Sequence, residues 1–296
     1  RVMPRTGRIA MWSSVGSYQT RSGTRRGLGA SRSSSTIASL AAAATATTTL
    51  NVGALVLDCD FRHPAVLARE LATIDLLSQG RLEVGLGAGW KRLDYDRSGI
   101  PMDRPGVRVS RMIEHAEVLR RLFADGPADF AGEHYTITGL DGTPKPFTPG
   151  GPKFLIGGGA PRVLRFAART ADIVGLNASI HSGEIDTAAA QDALPASIDE
   201  KADWVREAAG DRWDSIEINA WLSVAAVTDD ADGLANVLSG VFSAPPEAIL
   251  ASPLTLIGTE SQIADRLAER RERWGYSYTV IPGDRVRDFA PVVADL

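Results

Sequence analysis

Two glycine clusters hold the residues whose types and spacing point most directly to chemistry. Gly85, Gly87 and Gly89 alternate at the end of one apolar run, and Gly157, Gly158 and Gly159 close another, followed by Ala160 and Pro161. Without a Cβ, backbone can approach a flat ring or a phosphate more closely than any other residue permits. A helix opening at Pro161 offers a phosphate its backbone N–H groups and the positive end of its dipole, with no basic side chain required. Tight strand packing and left-handed turning account for the same glycines equally well. His63, directly before Pro64, is a neutral imidazole suited either to a ring or substrate contact or to a structural role. Arg104, Arg108 and Arg111 offer an anchor for a substrate or a cofactor tail, or else ion pairs to Glu114 and Glu117. Asp94 and Tyr95 are polar candidates nearby.

The elements that must position these groups read as alternating strands and helices. Leu50 to Leu57 is an almost continuous apolar run, as expected of a parallel strand covered on both faces. Pro64 suits the first position of a helix, Leu67, Leu71, Ile74 and Leu77 recur at helical spacing, and Gly80 supplies a left-handed stop. Leu82 to Leu86 re-enters the sheet, completing one βαβ unit. Val109, Met112, Ile113, Ala116, Leu119 and Phe123 form a second helical stripe, on which His115 reads as a surface residue. Phe130 to Ile137 reads as a surface hairpin containing His134, and a proline-rich loop follows. Phe154 to Ile156, a helix from Val163 to Thr170, and Ile173 to Leu176 continue the alternation. A polar excursion holds a helix near Ile198 to Ala209. Ile216 to Val227 reads as one strand, Thr259 with Gln262 as a capping box, and Tyr278 to Ile281 as the last strand. Such repeats with right-handed crossovers predict an α/β fold, a (β/α)8 TIM barrel, rather than an open doubly wound sheet.

Composition narrows the function. The chain has 296 residues, enough for one large domain. Its first 57 residues contain seven arginines and no acid, so the remainder is strongly acidic. That balance argues against nucleic-acid binding, which needs basic surface to neutralise phosphates. Cys59 is the only cysteine, and His63, His115, His134 and His181 are scattered, so neither a disulfide nor a metal site is expected. The start of the chain resembles a twin-arginine export signal. Thr45, Thr47, Thr48, Thr49 and Asn51 nevertheless interrupt the uncharged run, and an alanine-rich helix from Ile37 to Ala44 leading into a strand is the better description, with a cytoplasmic location expected and no membrane span.

Only six strands begin in these runs, where a barrel needs eight. Residues 1–36 are Ser/Arg-rich and lack periodicity apart from a strand-like stretch at Arg8 to Val15. They read as an atypical segment ahead of a barrel domain at 37–296. The segment is either a disordered tail or a start altered relative to a normal barrel, for example by a reading-frame error.

The runs VGALVLDCDFRHP, ATIDLLSQGRLEVGLGAGW, FAGEHYTI, KFLIGGGAPRVLRFAARTADIVGLN and LIGTESQIADRLAERRERWGYSYTV together resemble the bacterial-luciferase-like family, and most closely its coenzyme F420-dependent oxidoreductase branch. The resemblance implies a luciferase-like barrel that binds FMN or the deazaflavin F420 at the carboxyl ends of its strands. It implies a non-proline cis peptide at Leu55–Val56 supporting the ring, a second contact from Ala88, Gly89 and Trp90, and a phosphate cradle at Gly158, Gly159 and Ala160. An acidic side chain stands in place of Trp90 in some deazaflavin relatives. The family's proton donor falls in the unrecognisable upstream region, so no residue is assigned to that role and His63 is the one catalytic candidate. The implied function is an F420-dependent oxidoreductase moving hydride between the cofactor and a small organic substrate. The alternatives are an FMN-dependent monooxygenase served by a flavin reductase, and a non-catalytic flavin binder crippled by its N-terminus. A homodimer is the family tendency.

Overall fold

A computed structural model of the chain describes residues 8–12, 36–180, 183 and 186–294. The remaining residues of the Ser/Arg-rich segment, and His181, lie outside that description. The chain divides into two compact units, Ser14–Lys153 and a second made of Arg1–Ser13 with Phe154–Leu296.

In the first unit the alanine-rich helix Thr36–Ala46 is closed at its C-terminal end by Arg81, whose guanidinium donates to the carbonyls of Ala44 and Thr47 at 2.8 Å each and to that of Leu50 at 2.5 Å. A cation there answers carbonyls that have no intrahelical partner. The apolar run expected as one strand is broken into Val52–Gly53 and Leu57–Asp58, both parallel to Leu82–Gly87. The pairings Gly53↔Glu83 and Leu57↔Leu86 leave one residue more on this strand than on its partner, a bulge that holds the cis Leu55–Val56 peptide. Apolar periodicity cannot register such an insertion, because every residue in it is itself apolar.

Helix Pro64–Ser78 buries Leu67, Leu71 and Ile74 and ends at Gln79 and Gly80, both with positive φ. Leu77, expected on the same stripe, is exposed instead, while Asp75 is buried and accepts the Thr148 N–H at 2.8 Å. Helix Pro105–Phe123 buries Met112, Ala116, Leu119 and Phe123 together with His115, which corrects the expectation of a surface histidine. The hairpin Pro127–Ala131 and Thr136–Asp141 forms as expected. Its turn is pinned by Glu114, whose carboxylate accepts the N–H groups of Glu133, His134 and Tyr135 at 2.8, 2.9 and 3.2 Å.

The second unit is built on strands in the order Arg8–Trp12, Tyr276–Pro282, Glu217–Trp221, Ile173–Leu176 and Lys153–Gly158, every adjacent pair parallel. Arg8–Trp12, only strand-like in the sequence, pairs residue for residue from Arg8↔Tyr278 to Trp12↔Pro282. The single strand expected at Ile216 to Val227 is two, because Val224–Val227 leaves the main sheet to pair with Thr255–Gly258, an element the sequence reading passed over. Helix Glu260–Trp274 starts with the capping box of Thr259 and Gln262. It buries Arg270, which donates to the carbonyls of Ser252, Pro253 and Thr255 at 3.0, 3.2 and 2.7 Å.

Candidate active site

In the first unit the candidate residues collect around the carboxyl ends of Leu57–Asp58 and Leu82–Gly87. Gly85 and Gly87 do not leave an open face. A Cβ on Gly85 would overlap the Ala54 carbonyl oxygen, and one on Gly87 would overlap the Val56 side chain. These two glycines admit the bulged segment against its neighbour, so strand packing accounts for them and not approach to a ring. Gly89 is required for another reason, since a Cβ there would run into the Tyr95 hydroxyl and the Asp58 carboxylate.

That hydroxyl is the centre of a polar network. Tyr95 Oη lies 2.8 Å from Asp58 Oδ2 and 2.9 Å from Asp60 Oδ2. Asp60 Oδ1 accepts from Arg111 Nη1 at 2.6 Å, and the other arm of Arg111 pairs with Asp103. Arg108 is buried, donating to the Ala88 carbonyl at 3.1 Å and the Asp103 carbonyl at 2.9 Å. Neither Arg108 nor Arg111 pairs with Glu114 or Glu117, the partners expected from sequence spacing. Glu114 holds the hairpin turn, and Glu117 pairs with Arg121. Burial lifts the Asp58 carboxyl to a pKa of about 6, and burial together with the neighbouring carboxylates pushes the Tyr95 phenol above its ordinary value.

His63 caps helix Pro64–Ser78, its Nδ1 accepting the Ala65 N–H at 3.2 Å. It also meets the Tyr135 ring edge-on, with centroids 5.3 Å apart. On the other side of Tyr135, His115 Nδ1 lies 3.3 Å from the phenolic oxygen, and burial drives the His115 pKa down to about 3. Trp90 is 39% exposed, so it does not serve as a core aromatic.

In the second unit, Gly158 and Gly159 precede helix Pro161–Thr170, whose N-cap residue Ala160 contributes no capping side chain. A Cβ on Gly159 would meet the Ser179 backbone, so the glycine lets the loop after Ile173–Leu176 pass close by. Lys201, 1% exposed, braces that loop by donating to the Asn177 carbonyl at 3.1 Å and to the Asp192 carbonyl and Oδ2 at 2.9 and 2.6 Å. Burial works against the Asp192 carboxylate, but Lys201, Ser197 and the Ser179 N–H outweigh it and hold its pKa below the ordinary value.

Two residues that sequence reasoning missed stand beside these glycines. Asn177 follows strand Ile173–Leu176, Asn219 lies within Glu217–Trp221, and both flank Gly175. Asn219 Nδ2 donates to the Tyr278 carbonyl at 3.1 Å, yet the amide oxygens of both residues are buried without a hydrogen-bond partner among the described residues. The available signal was a carboxamide inside an otherwise apolar buried strand, INAW. Unanswered buried acceptors are costly, and a ligand carrying N–H or O–H donors would satisfy them. A flavin or deazaflavin, with its ring N–H and its hydroxylated chain, belongs to that chemical class.

The profile of the luciferase-like monooxygenase family matches residues 13–278 of this chain. A pyrimidine monooxygenase RutA of Caulobacter sp. (strain K31) is 29% identical over 232 residues, covering 70% of this chain and 63% of that protein, so the chain spans less than two thirds of the length of this curated relative. Among solved structures, the monooxygenase RslO1 from Streptomyces bottropensis superposes with a TM-score of 0.67 at 22% identity, covering 88% of this chain and 82% of the other. The coenzyme F420-dependent tetrahydromethanopterin reductase from Methanopyrus kandleri gives a TM-score of 0.66 at 17% identity, covering 85% and 82% respectively. These likenesses establish the α/β fold class as the luciferase-like TIM barrel. Among the described residues, no helix is long and apolar enough to cross a membrane.

Proposed function

The chain belongs to the luciferase-like monooxygenase family, and on that premise we propose that it is an oxidoreductase that binds a flavin or deazaflavin and acts on a small organic substrate. The observation that carries this reading is the pair of buried, unanswered amide oxygens on Asn177, just past the carboxyl end of strand Ile173–Leu176, and on Asn219, inside the neighbouring parallel strand Glu217–Trp221. In open and closed α/β sheets alike, that end is where ligands bind.

Leu55, Val56, Ala88, Gly89 and Trp90 of the first unit are the proposed ring contacts, and Gly158, Gly159 and Ala160 of the second unit are the proposed phosphate cradle. When bound, the cofactor supplies hydride transfer. The chain's own residues hold and orient it. Arg108 fixes the strand exit through the Ala88 carbonyl, Lys201 holds the loop that carries Asn177, and Trp90 presents an aromatic surface for stacking. His63 is engaged in capping, which favours its structural role over a catalytic one.

Coenzyme F420 is the cofactor favoured by the residue resemblance. FMN is the second reading, supported by the monooxygenase names of relatives that match most of this chain, and it brings with it a flavin reductase as partner. Titrating the protein with FMN and with F420, followed by stopped-flow mixing of each reduced complex with oxygen, separates the two. Tight F420 binding with no oxygen intermediate supports the first reading, and a flavin–oxygen intermediate supports the second. No binding of either cofactor refutes both and leaves a non-catalytic protein. Native mass spectrometry on the same material tests the homodimer.

A further inference from the structure

We propose that Asp58 and Asp60 hold one exchangeable proton between them through the Tyr95 hydroxyl, with Asp58 the residue that gains and loses it. This makes the end of strand Leu57–Asp58 a proton-exchange site. The argument is a count of hydrogens. A phenol carries one, yet Tyr95 Oη stands within hydrogen-bond distance of two carboxyl groups, 2.8 Å from Asp58 Oδ2 and 2.9 Å from Asp60 Oδ2. Were both ionised, one buried carboxylate oxygen would face a hydroxyl with no hydrogen left to give.

The neighbours decide which carboxyl takes the extra proton. Asp60, with its side chain 3% exposed, already has a cationic partner in Arg111 at 2.6 Å. Asp58 forms no ion pair among the described residues, and its Oδ1 is already occupied by the Asp60 N–H at 2.9 Å. With the proton on Asp58 every donor has an acceptor: the Asp58 O–H donates to Tyr95, the Tyr95 O–H donates to Asp60, and Arg111 closes the series. The charged and titratable groups facing Asp58 are Tyr95 from helix Arg92–Ser98, Arg108 and Arg111 from helix Pro105–Phe123, and Cys59 and Asp60 from its own turn. Gly89 completes the arrangement, since any side chain there would occupy the space in which the hydroxyl and the carboxyl meet. Desolvation, opposed by the Asp60 N–H, Tyr95 and Arg108, brings the titration to about pH 6.

The use of the proton rests on the proposed function, because hydride transfer to or from a small molecule changes its proton count and no other residue of this chain has been assigned that duty. The existence of the site does not rest on it. Full-length protein labelled with carboxyl-13C aspartate and free of cofactor is titrated by NMR through pH 6. An aspartate resonance with its midpoint near pH 6 is expected, absent in Asp58→Asn, whose amide reproduces the donor of the protonated acid. In Tyr95→Phe, which keeps the ring, removes the shared hydroxyl and serves if the first variant fails to fold, the midpoint is expected to shift. Absence of any aspartate titrating near pH 6, or its persistence in Asp58→Asn, or an unmoved midpoint in Tyr95→Phe, overturns the proposal. Because no cofactor is present, such a failure is separate from failure of the flavin or deazaflavin reading.

Discussion

Lys201 Nζ lies 2.6 Å from Asp192 Oδ2, and the same carboxylate accepts the Ser179 N–H at 2.6 Å and the Ser197 hydroxyl at 2.5 Å. One buried cation therefore ties helix Pro195–Ala209 to the loop that carries Asn177. Burial lowers the pKa of the ammonium, and the ion pair with Asp192 opposes the fall. Replacing Lys201 by Met strands a carboxylate and two carbonyls, at an expected cost of about 3 kcal/mol. Urea unfolding would report it, and a loss below about 1 kcal/mol would show that the brace is not needed.

The glycines of strand Leu82–Gly87 are separable by the same measurement. Gly85→Ala drives a methyl into the Ala54 carbonyl, which is backbone and cannot yield, so a loss of about 3 kcal/mol is expected. Gly87→Ala meets only the Val56 side chain, and about 1 kcal/mol is expected. Val56→Ala added to Gly87→Ala should recover most of that loss, whereas added to Gly85→Ala it should recover little.

Acid sensitivity follows from two groups of opposite sign. The His115 pKa is depressed from 6.5 to about 3, so the unfolded chain binds its proton first, and this contribution to stability is lost as pH falls below 6.5. The Asp58 pKa is raised from 3.8 to about 6, so the folded chain binds its proton first, and stability is gained as pH falls through that interval. Asp58→Asn should therefore steepen the acid limb of the stability curve, and His115→Leu should flatten it. Thermal melts at stepped pH would read both, and equal slopes in all three proteins would contradict the assignment.

Asn219→Leu and Asn177→Leu remove acceptors that nothing in the described chain satisfies. Stability should change by no more than about 1 kcal/mol, since the lost bonds are offset by relief of buried polar atoms. Cofactor affinity should fall about tenfold, equivalent to about 1.4 kcal/mol, in a fluorescence titration with FMN or F420. Unchanged affinity in both variants would remove these amides from the cofactor site.

Most of the alternation was legible because it rests on strong local signals. Pro64, Pro161 and the Thr259–Gln262 pair mark helix starts by chemistry that needs no tertiary context. The bulge at Leu55–Val56 left no trace in hydrophobic periodicity, and Val224–Val227 merged with Glu217–Trp221 because Leu222 between them is itself buried. His115 was misplaced because a histidine on a helical stripe is ambiguous until Tyr135 from the hairpin is seen against it. Asp58, Asp60 and Tyr95 are separated by up to 37 residues, so their shared hydroxyl is a product of folding and not of spacing.

Arg8–Trp12 has Tyr276–Pro282 as its neighbour in the second unit, and residues 13–275 separate the two. During synthesis, residues 36–153 can gather their own contacts before the second unit is complete, whereas Arg8–Trp12 must wait for Tyr276–Pro282. Until Tyr276–Pro282 has been made, Arg8–Trp12 lacks its partner, and its backbone N–H and C=O groups stay available to any other extended chain.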